Sequence, residues 1–365
     1  MKSSGSRFFF FTFLLTIGVI VACKKKKEED PITPISIPTG VSVDLTNVPY
    51  AKLSDYRFFA GNMKEQIPNT GVLPYEPATS LFTDYALKKR FIWMPAGSKG
   101  TYVSDHDLIN LPVGTALIKT FYYNNVQPSG ETKILETRIM IKKSTGWIFA
   151  EYVWNDAQTE AYLQMDGSYQ NISWLQNGDL KSTNYRIPSA TECLICHKTN
   201  NQPVPIGLKP QNLNFDYNFA SGTQNQLQKW VDAGFLENAL PGSIVSTIDY
   251  RDDTQPLRLR LRSYLDMNCA HCHRENSHCD YRPLRLAFHE TEQSINMGIC
   301  VDPDEFIDAS LVNIIVPGNF NKSMMHFRMN STEEGNRMPL LGRSLVHEEG
   351  VDLLRQFISS ISTCD

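Results

Sequence analysis

Leu257-Arg258-Leu259-Arg260-Leu261-Arg262-Ser263-Tyr264-Leu265-Asp266-Met267-Asn268 runs without a break into Cys269-Ala270-His271-Cys272-His273. Leu257, Leu261, Tyr264 and Leu265 fall on one stripe at helical spacing, so the segment predicts an amphipathic helix that delivers Cys-x-x-Cys-His at its end. The motif sets two thiols and an imidazole on one turn. In that arrangement the thiols bond covalently to the vinyl groups of a haem and the imidazole takes its iron. A second copy, Cys193-Leu194-Ile195-Cys196-His197, stands earlier, preceded only by Ser189-Ala190-Thr191-Glu192, which has the form of a capping box. Its helix therefore starts just before the first thiol. Cys193, Cys196, Cys269 and Cys272 are the expected attachment points for two covalently bound haem c groups, with His197 and His273 as iron ligands.

Downstream, Glu348 to Ile358 predicts a second long helix. Val351, Leu354 and Ile358 form a face able to cross the helix before Cys269, and Glu348 and Glu349 suit the positive end of its dipole. Between them lies Arg337-Met338-Pro339-Leu340-Leu341-Gly342, a proline-stiffened loop. Met338 is the expected sixth ligand of the second iron. Met324, Met325 and Met329 are rivals at helical spacing, where methionine is more often core. For the first iron no methionine or histidine lies between Lys198 and Asp266. Its sixth ligand is expected from afar, from Met94, Met140, Met165, Met267 or His106, or else the position is open to a small molecule.

The amino terminus sets the compartment. Lys2 and Arg7 precede an apolar run from Phe8 to Ala22, short for a membrane span of roughly 20 residues, and Ile20-Val21-Ala22-Cys23 has the form of a bacterial lipobox. Residues 1–22 are expected to be a signal peptide, and Cys23 the lipid-bearing end of a flexible tether over 23–48, where a lysine run gives way to scattered prolines. The expected location is the bacterial cell envelope, on the periplasmic or surface face of the outer membrane. A net charge of −4 from 35 basic and 39 acidic residues concentrates no positive field, which argues against nucleic acid. Of the eight cysteines, three remain. Export favours a disulfide, expected as Cys279–Cys300 because it closes a loop inside one domain and leaves Cys364 free.

Residues 49–185 have a different texture. Ala116–Tyr123, Leu135–Lys142 and Trp147–Trp154 are rich in β-branched and aromatic residues and bounded by turn formers. They predict an antiparallel, β-sandwich-like domain or a half-barrel. Trp147, Trp154 and Trp174 are read as core, with anchors for a docking partner as the alternative. This region shows no catalytic triad, phosphate-cradling glycine loop or paired-histidine metal motif.

Taken together, Leu81-Phe82-Thr83-Asp84-Tyr85-Ala86-Leu87-Lys88-Lys89-Arg90, Leu111-Pro112-Val113-Gly114-Thr115, Leu135-Glu136-Thr137-Arg138, both Cys-x-x-Cys-His segments, Gln211-Asn212-Leu213-Asn214 and the Met338 loop resemble exported bacterial di-haem c-type cytochromes with a β-rich N-terminal region. The resemblance covers most of residues 53–360. It implies two covalent haems and a redox role without fixing a donor or acceptor, and it supports Met338 as a ligand. The resulting expectation is an α+β multidomain chain: the β-rich domain, a first haem-attachment segment over 186–250 and a cytochrome c-type domain over 251–365, the last two forming a mainly α-helical di-haem region. Its expected function is electron transfer among redox protein partners in the envelope, held at the membrane by the lipid anchor. The alternatives are a di-haem peroxidase-like enzyme with an open first haem, a β-domain docking module with a haem relay, and zinc in place of haem.

Overall fold

Apolar residues alternate along 72–187, and in the computed structural model, which describes residues 40–364, the segment builds one eight-stranded antiparallel sheet. Strands β1 (Val72–Pro74), β2 (Leu87–Trp93), β3 (Ala116–Val126), β4 (Glu131–Lys143), β5 (Gly146–Trp154) and β6 (Ala161–Leu163) pair in chain order. The hairpin β7 (Ser168–Gln176) and β8 (Asp179–Ile187) joins the far end of β3 through Val126 and Trp174. The sandwich alternative is thus corrected: this region forms one sheet, not two.

Both faces of the sheet are covered, which the alternation alone does not reveal. On one face Ile118, Ile139, Ile141 and Tyr152 pack under Leu53, Tyr56 and Phe58 of the preceding segment. On the other, Ile92, Leu117 and Met140 pack against Leu208, Leu213, Leu227, Trp230 and Leu236. That second layer comes from beyond residue 186, so the β-rich and motif-bearing parts share a core. Val41, Val43 and Leu45 also pack on the first face and Val48 is buried there. The folded chain therefore begins before the tether boundary expected at 48. The signal peptide, Cys23 and the tether up to residue 39 lie outside the described residues.

Beyond residue 186 the expectation of a mainly α-helical region is overturned. Six helices are present among the described residues: α1 (Ala190–Cys196), α2 (Pro210–Leu213), α3 (Gln226–Asp232), α4 (Leu257–Asn268), α5 (Met324–Asn330) and α6 (Glu348–Ser360). Only α4 and α6 exceed seven residues, at 12 and 13. Strand outweighs helix among the described residues, 27% against 20%, so β structure dominates. The cause is local. Segments 198–256 and 270–323 are punctuated by proline, glycine and asparagine, which favour turns over a sustained helical repeat. The two long helices do pack on each other as their stripes require, with Leu261 and Leu265 meeting Leu354, Phe357 and Ile358 in one core. Gly350 sits at this crossing because a Cβ there would collide with the Tyr264 ring.

The disulfide differs from expectation as well. Cys300 is bonded to Cys364, and Cys279 is a free, buried thiol. The Cys279 amide donates to the Cys272 carbonyl at 3.0 Å, which keeps it beside the second motif. Meanwhile α6 packs back on the segment near Gly318, whose amide donates to the Ile358 carbonyl, and so carries the C-terminus to Cys300. Trp154 and Trp174 are buried, with indole N–H groups donating to Thr137 at 3.0 Å and Gln176 at 3.1 Å. They serve the core. Among the described residues no helix is long and apolar enough to cross a membrane.

Candidate functional site: two adjoining cavities

Each Cys-x-x-Cys-His motif opens into its own cavity. The first lies between the sheet and α1, which starts where the sequence places it: Ser189 accepts from the Glu192 amide while the Glu192 carboxylate accepts from the Ser189 amide, a full capping box. One helical turn later Cys193, Cys196 and His197 face the cavity. The His197 ring lies edge-on to Phe149, centroids 5.3 Å apart, and its Nδ1 is 3.0 Å from the Val204 carbonyl. Donation from Nδ1 to that carbonyl fixes the tautomer and leaves the Nε2 lone pair for a metal. Burial pushes the imidazole down to about 3, so it is neutral at ordinary pH.

The second cavity lies at the end of α4. Cys269, Cys272 and His273 line it together with Met338, Leu340, Leu341 and Val351. Burial pushes His273 down to about 4. Its Nδ1 is buried without a hydrogen-bond partner. Met324, Met325 and Met329 reach the same cavity, but Met325 and Met329 belong to the core packed on α4 and α6. Met338 is held differently. Its amide donates to the Arg328 carbonyl at 3.0 Å, and its own carbonyl accepts from the buried Arg343 guanidinium at 2.8 and 3.1 Å. The loop that follows is clamped from the sheet side, where the Asp84 carboxylate accepts from the Ser344 amide at 2.7 Å and the Leu345 amide at 2.8 Å.

The distant candidates for the first cavity separate. Met140, Met165 and Met267 line it. Met94 is buried in the core under the sheet and His106 stacks on His289, centroids 3.9 Å apart, so neither faces the cavity. Met267 reaches inward across Gly207, where a Cβ would meet its terminal methyl at 2.8 Å.

Sequence reasoning passed over two features. His271, inside the second motif, is buried, has an unpartnered Nδ1 and lines both cavities. Ligand atoms of Cys196, His271 and Cys272 lie within 4.8 Å of one another, so a thiol from each motif meets at one point. The only signal for this was a histidine placed between two cysteines. The second feature is charge. Arg90, Lys119, Arg138 and Glu151 project from the sheet into the first cavity, and Tyr185 and Arg186 join from β8. In sequence such charges alternating with apolar residues read as a solvent face. Here that face is covered.

Asp266, just before the second motif, ties α4 to the 209–212 segment and to Phe288. Its buried carboxylate accepts from Lys209 at 2.9 Å, from the Phe288 amide at 3.0 Å and from Gln211 and Asn212 at 3.3 Å. Burial would raise its pKa, but Lys209 and these donors hold it below the usual carboxylate range. No model of a known protein family matches the chain, and neither does any curated protein or solved structure.

Proposed function

We propose that this chain is an exported c-type cytochrome that carries two covalently attached haems and passes electrons in the cell envelope, anchored by lipid at Cys23. The observation that carries the proposal is the pairing of each Cys-x-x-Cys-His with its own largely apolar cavity, in which two thiols and a neutral imidazole face the same space. Cys193, Cys196 and His197 would hold one haem. Cys269, Cys272, His273 and Met338 would hold the other. The bound groups supply reversible one-electron chemistry at iron, tuned by axial ligand and burial. The residues do the rest. Val204 orients His197, Arg343 and Asp84 hold the Met338 loop, and Arg90 and Arg138 would offer cations to the acidic edge of a porphyrin. Buried Arg90 has one terminal nitrogen without a hydrogen bond, 4.0 Å from the Glu76 carboxylate. The close approach of Cys196 and Cys272 brings the two attachment points together, as a relay requires.

One observation favours a second reading. Cys196, His271 and Cys272 converge as zinc ligands do. A structural zinc site takes four ligands, and this trio has three while leaving Cys193, His197, Cys269 and His273 unused. Iron and zinc content of the purified protein separate the two: two irons per chain are expected, and one zinc without iron would overturn haem. Carbon monoxide separates carrier from enzyme. With Met338 closing the second iron and Met140, Met165 or Met267 the first, the reduced protein should bind none quickly; fast binding at one haem per chain together with peroxide turnover would make it a peroxidase. Cys23→Ser should leave the protein unprocessed or released, since acyl chains contribute about 0.8 kcal/mol per buried methylene; unchanged membrane fractionation with the signal cleaved normally would point to another anchor.

A further inference from the structure

We infer that the opening of the second cavity is the surface through which this protein exchanges electrons with a partner, and that it fits a one-electron carrier presenting a lysine- or arginine-rich face. The inference rests on the haem proposal and deepens it, by naming which of the two sites meets the outside and the charge of the partner it meets.

The two cavities differ in how they reach solvent. The residues lining the first are buried or half-buried except Gly342, so none of its charged side chains stands in water. Four residues lining the second are exposed: His278 and Pro283 from the segment after the second motif, and Asp304 and Glu305 from the segment after Cys300. A group attached at Cys269 and Cys272 therefore has an outlet past these residues. One attached at Cys193 and Cys196 lies behind a wall and adjoins its neighbour where Cys196, His271 and Cys272 converge. Electron transfer between separate proteins needs close approach of the two redox groups, which places the contact at the rim of the second cavity.

That rim is acidic. Residues 274–313 carry eight acids against three arginines, −5 in a chain whose total is −4. Every exposed formal charge in the stretch is negative, Asp280 and Asp302 as well as Asp304 and Glu305. The arginines are turned inward. Arg282 pairs with Asp304 at 3.5 Å and Glu305 at 3.1 Å, which joins the two segments of the rim, and Arg285 donates to the carbonyls of Asp280, Arg282 and Leu284. Arg328 of α5, half-buried, lies 4.0 Å from Glu305. Two aromatic rings complete the surface. Tyr281 follows Asp280 and Phe306 follows Glu305, and they are 68% and 61% exposed. The Arg282 guanidinium lies over the Tyr281 ring at 4.9 Å. Exposed rings bordered by charge of one sign suit docking: the rings supply contact area, and the charge steers a partner of opposite sign and repels one of the same sign. At the contact one electron passes from the more reducing group to the other, one side losing what the other gains, with no bond made or broken.

Two measurements on the intact, haem-loaded protein test this, with haem content determined on the same sample. In stopped flow at low salt, hexaammineruthenium(II), a cation, should reduce the protein faster than iron(II)–EDTA, an anion, by about tenfold after correction for driving force, the scale of electrostatic steering. The two rates should converge at an ionic strength of about 1 M, where exposed charges are screened. In Asp280→Lys combined with Glu305→Lys the preference should reverse. The second measurement needs no variant. An oligolysine peptide is joined to the unmutated protein by carbodiimide, which links carboxylates to amines in contact, and the links are mapped by mass spectrometry. They should fall on Asp280, Asp302, Asp304 or Glu305 and vanish in high salt. Equal rates at low salt, a faster anion, or links concentrated away from the rim would each overturn this surface while leaving the haem proposal standing. Absence of haem would overturn the haem proposal and the electron exchange together.

Discussion

The two cavities carry the same five-residue motif and differ in nearly everything around it. The first is floored by a sheet whose inward residues are charged, its imidazole is oriented by the Val204 carbonyl, and three methionines from separate parts of the chain line it. The second is enclosed by helices and loops and has a methionine loop fixed from both sides. Attachment chemistry is thus a property of the motif, whereas axial closure and local charge are properties of the fold. If each cavity holds the proposed haem, the two potentials should differ for that reason.

The largest break in the comparison comes from removing one attachment at a time. Cys269→Ala with Cys272→Ala, or Cys193→Ala with Cys196→Ala, should each halve the covalent haem per chain, read by haem absorbance on denatured protein. Loss of both haems from either double variant would mean that the cavities load as one unit. Next is the buried ion pair that joins α4 to the 209–212 segment. Asp266→Ala leaves Lys209 buried without its partner and should cost about 3–5 kcal/mol in denaturant unfolding; a cost below about 1 kcal/mol would place Asp266 outside the fold's essential contacts.

Acid should act through His347, which stacks on Phe82 at 4.1 Å and shares hydrogen bonds with Tyr250 and Tyr264 in the wall of the second cavity. Burial pushes it from 6.5 down to about 3. Below pH 6.5 the unfolded chain takes a proton there that the folded chain refuses, so its contribution to stability declines as pH falls from 6.5 and stops changing near 3. The loss should reach about 2 kcal/mol by pH 5 and be absent in His347→Gln. An identical acid profile in that variant would assign the effect elsewhere. The gentlest change is Met338→His. It should keep both haems and lower only the second potential, because imidazole is a stronger donor than a thioether. A potential left unmoved by Met338→His and moved by Met329→Leu would transfer the ligand to α5.

Much of this was legible because it was local. The stripe of Leu261, Tyr264 and Leu265, the capping box at Ser189 and the strands around Ile118, Ile139 and Tyr152 each depend on neighbours within a few residues. What was not legible depends on coverage. Lys119, Arg138 and Glu151 look like a solvent face until the segment around Trp230 is laid over the sheet, and His271 looks incidental until Cys196 is brought beside it. The Cys300–Cys364 bond was missed because loop closure within a domain ranks by sequence distance, while α6 returns the C-terminus through space. The helical expectation failed because long turn-rich segments join the few helices, and the sheet, rather than further helices, floors the first cavity.

The most direct test is the mass and haem absorbance of the purified chain after denaturation and acid-acetone extraction. Two covalently bound haems should stay with the polypeptide. A chain that gives up its haem fully to the solvent, or that carries zinc and no iron, would contradict the account.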